Sequence, residues 1–364
     1  MYVILSILIL ISLAIVIIVN QTQFGKAASG DRLKRIKKSP NYKDGSFQNL
    51  TFTPVFAEDV SKFGMIRDGI FKISKRKKPI SSLPSQKTNL LKLDSERNIL
   101  VWFGHSSYFM QIDGKKILVD PVFSGSASPF SFMVGSFPGT DIYTAEDLPA
   151  IDYLFITHDH WDHLDYQTVM KLKPRVGKVI TGLGAGAHLE YWGFKPDKII
   201  ELDWNEHAVL DPEFRITATP ARHFSGRNTK RNQSIWCSFV IQTPSKKIFI
   251  GGDSGYDTHF ARIGAEHGPF DLALLECGQY NKSWKYIHEL PEETVQAAID
   301  LKTKYFMPVH WAKFALSLHA WDEPIERVIK EAHRLNVPLI HPMIGEEVRL
   351  DEFAATSEWW KGII

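Results

Sequence analysis

Cysteine is scarce in this sequence of 364 residues. Its two cysteines, Cys237 and Cys277, lie far apart and outside any CxxC pattern. They are too few for a disulfide framework or for a structural zinc site built from thiolates. We expect both to be small buried side chains in apolar strands, so any metal chemistry must use other ligands.

An excess of charge of one sign is also missing, since 43 Lys and Arg balance 41 Asp and Glu to a formal net charge of +2. Such a chain has no general attraction for nucleic acid, and we expect no nucleic-acid partner. Internal repeats and low-complexity tracts are absent too, so a repeat architecture is not indicated. The remaining composition, 44% hydrophobic, is that of an ordinary globular protein with a large core.

Charged residues do not occur in the apolar run Tyr2–Val19. At about 18 residues, this run is just long enough to cross a bilayer as a helix. A cleaved signal peptide normally has basic residues before a shorter apolar core, whereas the first basic residue here is Lys26. Because the basic cluster follows the run, the positive-inside tendency favours a cytoplasmic location for the rest of the chain. Residues 1–20 are therefore predicted to be a single-pass transmembrane anchor, with the lipid bilayer as a partner.

Two further segments follow. Residues 21–94 are polar and basic, which predicts a linker and extended arm. Residues 95–364 contain short apolar runs bounded by turn residues, which are typical of strands. Early runs follow one another closely, with Asp113-Gly114 as a hairpin turn, and later runs alternate with helical stretches. This order predicts an α/β domain with mixed sheets covered by helices.

The stretch HDHWDH, residues 158–163, directly follows an apolar strand. Alternate residues of an extended segment point the same way, so His158 and His160 can face one metal ion. Asp162 and His163 follow at a turn and can reach a second ion. Imidazole and carboxylate groups are zinc ligands, and burying four such groups without partners is costly. The stretch therefore indicates a metal site rather than structural histidines.

Three more candidate ligands stand after apolar runs: His223 after ITATP, Asp253 after KIFI and His310 after YFMPV. Ligands in open sheets gather at the carboxyl ends of strands, so these loops are expected to converge. The natural partition gives His158, His160 and His223 to one ion and Asp162, His163 and His310 to the other, with Asp253 bridging. The sequence predicts two divalent ions, with zinc favoured and manganese or iron as alternatives.

This ligand set resembles that of the metallo-β-lactamase-fold hydrolase superfamily, over about residues 95–350. The resemblance implies an αββα sandwich of two mixed β-sheets flanked by helices, with the ions in a groove along one edge. It also implies hydrolysis by a hydroxide that two metal ions hold. Asp253 favours the phosphodiesterase, lactonase and thioesterase-like branches, because true class B β-lactamases usually lack the bridging aspartate.

Closer resemblance is to N-acyl-phosphatidylethanolamine-hydrolysing phospholipase D and its bacterial relatives. Seven stretches carry it: residues 39–50, 102–124, 158–165, 220–227, 251–256, 284–293 and 309–316. It implies a phospholipase D-like phosphodiesterase that acts on a membrane phospholipid. A lactonase, or another hydrolase of a small phosphorylated or acylated metabolite, is the alternative. Glu276 and Gln279 depart from the family pattern and bear on the substrate.

The remaining site predictions concern single residues. Besides the ligands Asp162 and Asp253, catalytic roles are predicted for His288 and His319, which can protonate a leaving group. A second group is predicted to support the metals or contact substrate: His105, Asp159, Tyr256 and Arg222. Arginine suits a bidentate phosphate contact. The oligomeric state stays open, with a homodimer as one alternative.

Overall fold

A computed structural model describes residues 2–58, 61, 73–227 and 229–363. It confirms the predicted α/β class with mixed sheets. The strands are β1 (Tyr42–Lys43), β2 (Ser46–Phe47), β3 (Ile99–Trp102), β4 (Tyr108–Ile112), β5 (Lys115–Val119), β6 (Ile151–Ile156), β7 (Val176–Gly182), β8 (Ile199–Leu202), β9 (His207–Asp211), β10 (Phe214–Pro220), β11 (Cys237–Gln242), β12 (Lys247–Ile250), β13 (Phe270–Glu276), β14 (Thr303–Val309) and β15 (Glu347–Arg349). The α-helices are α1 (Tyr2–Val19), α2 (Gly30–Lys38), α3 (Tyr166–Leu172), α4 (Gly186–Tyr191), α5 (His259–Glu266), α6 (Pro291–Asp300) and α7 (Glu323–Leu335).

Two large sheets form the centre of the fold. One has seven strands in the order β15-β3-β4-β5-β6-β7-β8, and the other has six in the order β14-β13-β12-β11-β10-β9. In each sheet a run of antiparallel strands gives way to parallel pairing, at β5–β6 and at β12–β13. The predicted hairpin joins β4 to β5, and Asp113 and Gly114 both have positive φ there. Such φ values are those that a tight two-residue hairpin turn requires.

Side chains from both faces of the strands are buried, as a layered fold requires. Trp102 and Phe155 of the seven-stranded sheet share one core with Phe239 and Phe249 of the six-stranded sheet. The opposite face of the seven-stranded sheet forms a second core with α3 and α4. Helices α6 and α7 pack together, and α6 lies against β13 and β14. The layers therefore agree with the predicted sandwich.

The amino-terminal helix α1 has 18 residues. No helix in the described part of the chain is long and apolar enough to cross a membrane. At 1.5 Å per residue, α1 rises about 27 Å, less than a hydrocarbon core of about 30 Å. The predicted transmembrane anchor of residues 1–20, the single-pass membrane location and the cytoplasmic placement derived from them were wrong.

The predicted arm packs on the main domain where the structure describes it. Phe47 in β2 is fully buried in the core between the sheets, and its backbone N–H donates to the carbonyl of Asn232. Further along, the backbone N–H of Ala57 donates to the carbonyl of Ser283. Residues 59–60 and 62–72 of the predicted arm lie outside the described residues. The arm thus reaches the loops at one edge of the sheets.

Candidate metal centre

The predicted ligands come together because their strands end at one edge of the sandwich. The HDHWDH stretch follows β6, and Asp253 and His310 follow β12 and β14. Strand β12 is parallel to β13, which is parallel to β14, so their carboxyl ends share that edge. His223 follows β10, which runs in the same direction as β12 because β11 is antiparallel to both.

The first cluster contains His158, His160, His223 and Asp253, whose ligand atoms all lie within 4.8 Å of one another. His158 Nε2 is 2.9 Å from His160 Nδ1, which is 3.2 Å from His223 Nε2. Burial lowers the pKa of His158 and His223 well below the ordinary histidine value. Both rings are therefore neutral at physiological pH, the form that binds metal.

The second cluster contains Asp162, His163 and His310, together with His105, within the same 4.8 Å limit. His105 Nε2 lies 3.0 Å from Asp162 Oδ2, and its ring centroid is 4.0 Å from that of His310. Although burial alone would raise the pKa of Asp162, the charges of His163 and His105 hold it well below its usual range. A buried carboxylate that stays ionised is suited to a cation.

Asp253 lies between the two clusters. Its Oδ2 is 3.7 Å from His223 Nε2 and 3.2 Å from His163 Nε2, and its Oδ1 is 3.2 Å from His310 Nδ1. Among the described residues, buried atoms without a hydrogen-bond partner include Asp253 Oδ1, His163 Nε2 and His310 Nε2. Leaving such atoms unpaired is costly, whereas a metal ion would satisfy them. The donor set therefore fits metal ions.

Supporting contacts that the sequence analysis missed orient these rings. Asp120 Oδ2 lies 2.8 Å from His163 Nδ1, and Asp120 also accepts from the backbone N–H and hydroxyl of Thr157. Ser106 Oγ lies 2.9 Å from His310 Nδ1. Partners of this kind fix the tautomer and direction of a metal ligand. Asp120 directly follows the apolar run of β5, so the strand-end signal that revealed Asp253 also applied to it.

His288 faces the same clusters from the loop before α6. Its Nδ1 lies 2.6 Å from Glu276 Oε2, and the backbone N–H of Ser254 donates to Glu276 Oε1. Burial, together with the charge of Asp253, raises the pKa of Glu276 well above its usual value. Burial lowers the pKa of His288. These two directions favour the uncharged forms of Glu276 and His288, in which the Glu276 hydroxyl donates to Nδ1 and the His288 proton resides on Nε2.

His319 and Tyr256 lie in different surroundings. His319 Nδ1 donates to the carbonyl of Ala320, and its Nε2 accepts from the backbone N–H of Gln279. The Tyr256 hydroxyl donates to Asp300 at 2.6 Å. Both side chains are thus engaged by neighbouring segments rather than grouped with the clusters. The predicted catalytic role of His319 and the predicted substrate contact of Tyr256 stay predictions.

Asp159 and Arg222 also hold the chain together locally. Asp159 accepts from the Gly226 backbone N–H at 2.7 Å and from the Ser234 hydroxyl at 2.9 Å, and it lies 3.3 Å from His188. Arg222 donates to Thr53 Oγ1 and to the carbonyl of Phe52 in the arm. In these positions Asp159 ties two loops together and Arg222 ties the arm to the domain.

A cleft of about 270 Å³ opens onto the clusters. Its polar floor includes His160, Asp162, His223, Asp253, His288 and His310. Its apolar walls are formed by Val55, Phe56, Phe224, Trp284, Ile287 and Leu316. Among the residues that the structure describes, Arg231 is the cationic side chain that lines it, with its guanidinium 5.2 Å from the Phe224 ring centroid. Two of the wall residues, Val55 and Phe56, belong to the arm.

This fold and donor set define an α/β metal-dependent hydrolase. The family model for the beta-lactamase superfamily domain matches residues 115–311, which is more than half of the chain. The chain therefore belongs to the metallo-β-lactamase superfamily.

Individual relatives extend this comparison beyond the matched domain. An uncharacterized protein of Mycobacterium tuberculosis is 38% identical over 329 residues, 89% of this chain and 88% of the relative. N-acyl-phosphatidylethanolamine-hydrolyzing phospholipase D 1 of Caenorhabditis elegans is 28% identical over 272 residues, 68% of this chain and 76% of the relative. A metallo hydrolase of Ignicoccus hospitalis has a TM-score of 0.54 at 23% identity, covering 69% of this chain and 97% of that one. The last likeness concerns the fold alone.

Proposed function

We propose that this protein is a zinc-dependent phosphodiesterase of the phospholipase D type that hydrolyses N-acyl-phosphatidylethanolamine or a related phospholipid. The observation that carries the proposal is the cleft, which has metal-binding groups at its floor, apolar walls and the arginine Arg231 among its described lining residues. An amphiphilic phosphodiester needs metal-binding groups for its phosphoryl centre, apolar walls for its acyl chains and an arginine for its negative charge. The similarity to the Caenorhabditis elegans phospholipase supports this substrate class.

Two ions are proposed, one on each cluster, with Asp253 shared between them. His158, His160 and His223 would hold the first, and Asp162, His163 and His310 the second. Nitrogen and oxygen donors of this kind suit zinc. Two such ions supply an activated water and offset the negative charge that develops on a phosphoryl group. The hydrolysis forms a bond from water oxygen to phosphorus and breaks the bond to the leaving alcohol, giving an N-acylethanolamine and phosphatidic acid.

His288 is proposed to donate a hydrogen bond to the leaving oxygen, which takes its proton from the attacking water. In the neutral pair the Glu276 hydroxyl donates to Nδ1 at 2.6 Å, which places the His288 proton on Nε2, and His288 lines the cleft. The hydrogen bond from Nε2 offsets the negative charge that develops on the leaving oxygen while the ring stays neutral. Removal of a preorganised donor of this kind typically costs about 10²–10³-fold in kcat.

The cleft walls are proposed to bind the rest of the lipid. Phe56, Phe224 and Trp284 offer aromatic surface for an acyl chain. Arg231 is proposed to contact a phosphate oxygen of the substrate, because guanidinium groups match phosphate geometry. These contacts distinguish a lipid phosphodiester from a small, uncharged lactone.

The test compares substrates on zinc-loaded protein. Purified protein is assayed against N-acyl-phosphatidylethanolamine in mixed micelles, with release of N-acylethanolamine measured by mass spectrometry, and against a panel of lactones. We expect lipid turnover that is lost in the Asp253→Ala variant and on chelation. Turnover of lactones with inert lipid would overturn the proposal in favour of a lactonase.

A further inference from the structure

The amino-terminal arm touches the metal centre through Asn49. Asn49 Nδ2 donates to the carbonyl of His223 at 2.8 Å, and Asn49 Oδ1 accepts from the backbone N–H of His223 at 3.1 Å. The Trp236 indole N–H also donates to Asn49 Oδ1, at 3.1 Å. Two donors at the oxygen and one acceptor at the nitrogen fix the orientation of the amide. The Asn49 side chain is therefore hydrogen-bonded to both the backbone N–H and the backbone carbonyl of His223.

His223 needs such a partner because it stands beyond the end of a strand. Strand β10 ends at Pro220, and its neighbour β11 pairs with it only as far as Cys237. The backbone of His223 is buried and has left the sheet ladder. Buried N–H and C=O groups need hydrogen bonds, and Asn49 supplies both of them. At His223 the arm therefore supplies the two backbone hydrogen bonds that a neighbouring strand would otherwise provide.

The imidazole of His223 is held from its other side. Its Nδ1 donates to the carbonyl of Ile287 at 2.7 Å, which leaves Nε2 directed at His160 Nδ1, 3.2 Å away, and Asp253 Oδ2, 3.7 Å away. The Asn49 pair fixes the backbone from which this ring projects. With backbone and ring both fixed, the direction of Nε2 is set before a metal ion arrives.

Asn49 is itself held in place from both directions along the arm. Phe47, two residues earlier, is fully buried. The Arg222 side chain bonds Phe52 and Thr53, a few residues later. An anchored side chain loses little entropy when it makes its contacts, so it can hold a ligand rigidly.

We propose that Asn49 is a positioning residue of the metal centre, which sets His223 in the direction required to bind the first ion. The proposal rests on the metal centre and is independent of the substrate. Contacts that orient metal ligands typically change metal affinity by about 10- to 100-fold when removed.

The test measures metal affinity in Asn49→Leu, with Asn41→Leu as the matched control. Asn41 is also a half-buried arm residue, and its Nδ2 donates to Asp203 at 3.0 Å without touching a proposed ligand. Zinc is titrated into metal-free protein in competition with a chromogenic chelator. We expect one of the two ions to bind about 10- to 100-fold more weakly in Asn49→Leu, and both to bind unchanged in Asn41→Leu. Equal affinities in the unaltered protein and Asn49→Leu would overturn the proposal.

A second variant protects the test against misfolding. Asn49→Asp keeps an acceptor for the His223 N–H but removes the donor and sets a carboxylate against the His223 carbonyl. We expect an intermediate loss of affinity for the same ion, with a changed visible spectrum after cobalt substitution.

Thermal unfolding of the metal-free proteins shows whether Asn49→Leu and Asn41→Leu are equally folded. If Asn49→Leu does not fold, the proposal is tested on Asn49→Asp instead. A metal affinity and a cobalt spectrum that are both unchanged in Asn49→Asp would then reject the proposal. Because no substrate is used, failure here leaves the proposed phosphodiesterase activity standing.

Discussion

Glu276 and His288 form a buried pair, with Oε2 of the acid 2.6 Å from Nδ1 of the ring. Glu276 ends β13, and His288 lies at the cleft floor. The elevated pKa of Glu276 and the depressed pKa of His288 favour the neutral form of the pair. This arrangement leads to an unusual expectation for an acidic residue near metals, namely that its charge is dispensable.

Replacing Glu276 by glutamine should preserve most of the activity. The glutamine amide N–H can donate to His288 Nδ1 as the neutral acid does, so we expect kcat within about 10-fold of the unaltered protein. Glu276→Leu removes that donor, leaves His288 without its orienting partner and should lower kcat by about 10²-fold or more, in line with loss of an oriented hydrogen-bond donor. Steady-state kinetics on one phosphodiester substrate separate these outcomes. Equal losses in both variants would mean that the carboxylate charge is required.

Asp120 should matter for metal retention although it is not a proposed ligand. It lies 2.8 Å from His163 Nδ1, and Asp120→Asn weakens the acceptor that orients this ring. We expect zinc affinity of the second cluster to fall by about 10- to 100-fold. Asp152→Asn is the control, because Asp152 accepts the Lys116 backbone N–H in the same sheet, away from the clusters. Metal analysis after dialysis against a weak chelator provides the measurement.

Metal binding should release a proton at neutral pH. Burial would lower the pKa of His163, but the charges of Asp253, Asp162 and Asp120 raise it well above the ordinary value. This ring is therefore protonated in the metal-free protein and must lose its proton to bind metal. Zinc affinity should consequently rise with pH. Calorimetric titrations at pH 7 in two buffers of different ionisation enthalpy should show about one proton released per protein. Identical heats in both buffers would contradict this assignment.

The two arginines near the site should behave differently. Arg231 lines the cleft, so Arg231→Gln should raise KM for an anionic lipid by about 10-fold and leave kcat nearly unchanged, since the contact is present in substrate and transition state alike. Arg222→Gln instead loosens the arm and should lower Tm. Kinetics and thermal unfolding on both variants give the comparison. A large KM effect in Arg222→Gln alone would reverse these roles.

Asp159 should stabilise the fold in a pH-dependent way. Burial would raise its pKa, but the hydrogen bond and charge of His188 and the charge of His160 bring it to about 2. Since the unfolded value is about 3.9, the stabilisation is present above that pH and is lost as pH falls toward 2. Asp159→Asn should therefore reduce the free energy of unfolding of metal-free protein by about 1–3 kcal/mol at pH 7. Urea denaturation should show this gap narrowing below about pH 4 and closing near pH 2, and a gap independent of pH would refute the assignment.

Most of the fold follows from the sequence because its central strands are apolar on both faces. One of the helical stretches that alternate with the later apolar runs forms α6, which the structure places at Pro291–Asp300. No apolar run marks strand β9 in the sequence, because it lies at a sheet edge and alternates exposed residues with more buried ones. The predicted anchor does form helix α1 over Tyr2–Val19, but its length stands at the lower limit for a span, and no helix in the described part of the chain is long and apolar enough to cross a membrane.

The proposed metal ligands were accessible to sequence reasoning for a local reason, because each lies in the loop that follows an apolar strand. Their supporting contacts were not. Asn49 and His223 are separated by 174 positions, and no pattern in either segment indicates that they meet. Arg222 and Asp159 were predicted from residue type to support the metals or contact substrate, and the structure shows the neighbouring segments that each side chain contacts, which the sequence does not indicate. The type of a residue shows which chemistry its side chain can perform, whereas the direction in which the side chain points depends on tertiary packing.

The bond between Asn49 and His223 also has a consequence during synthesis. At translation rates of about 5–20 residues per second, Asn49 leaves the ribosome roughly 10–35 s before His223 does. During that interval the arm has no partner for its amide, and the segment after β10 that it supports does not yet exist. The nascent chain therefore completes its first metal cluster only after the segment that follows β10 has been synthesised and has bound the arm, which was made earlier.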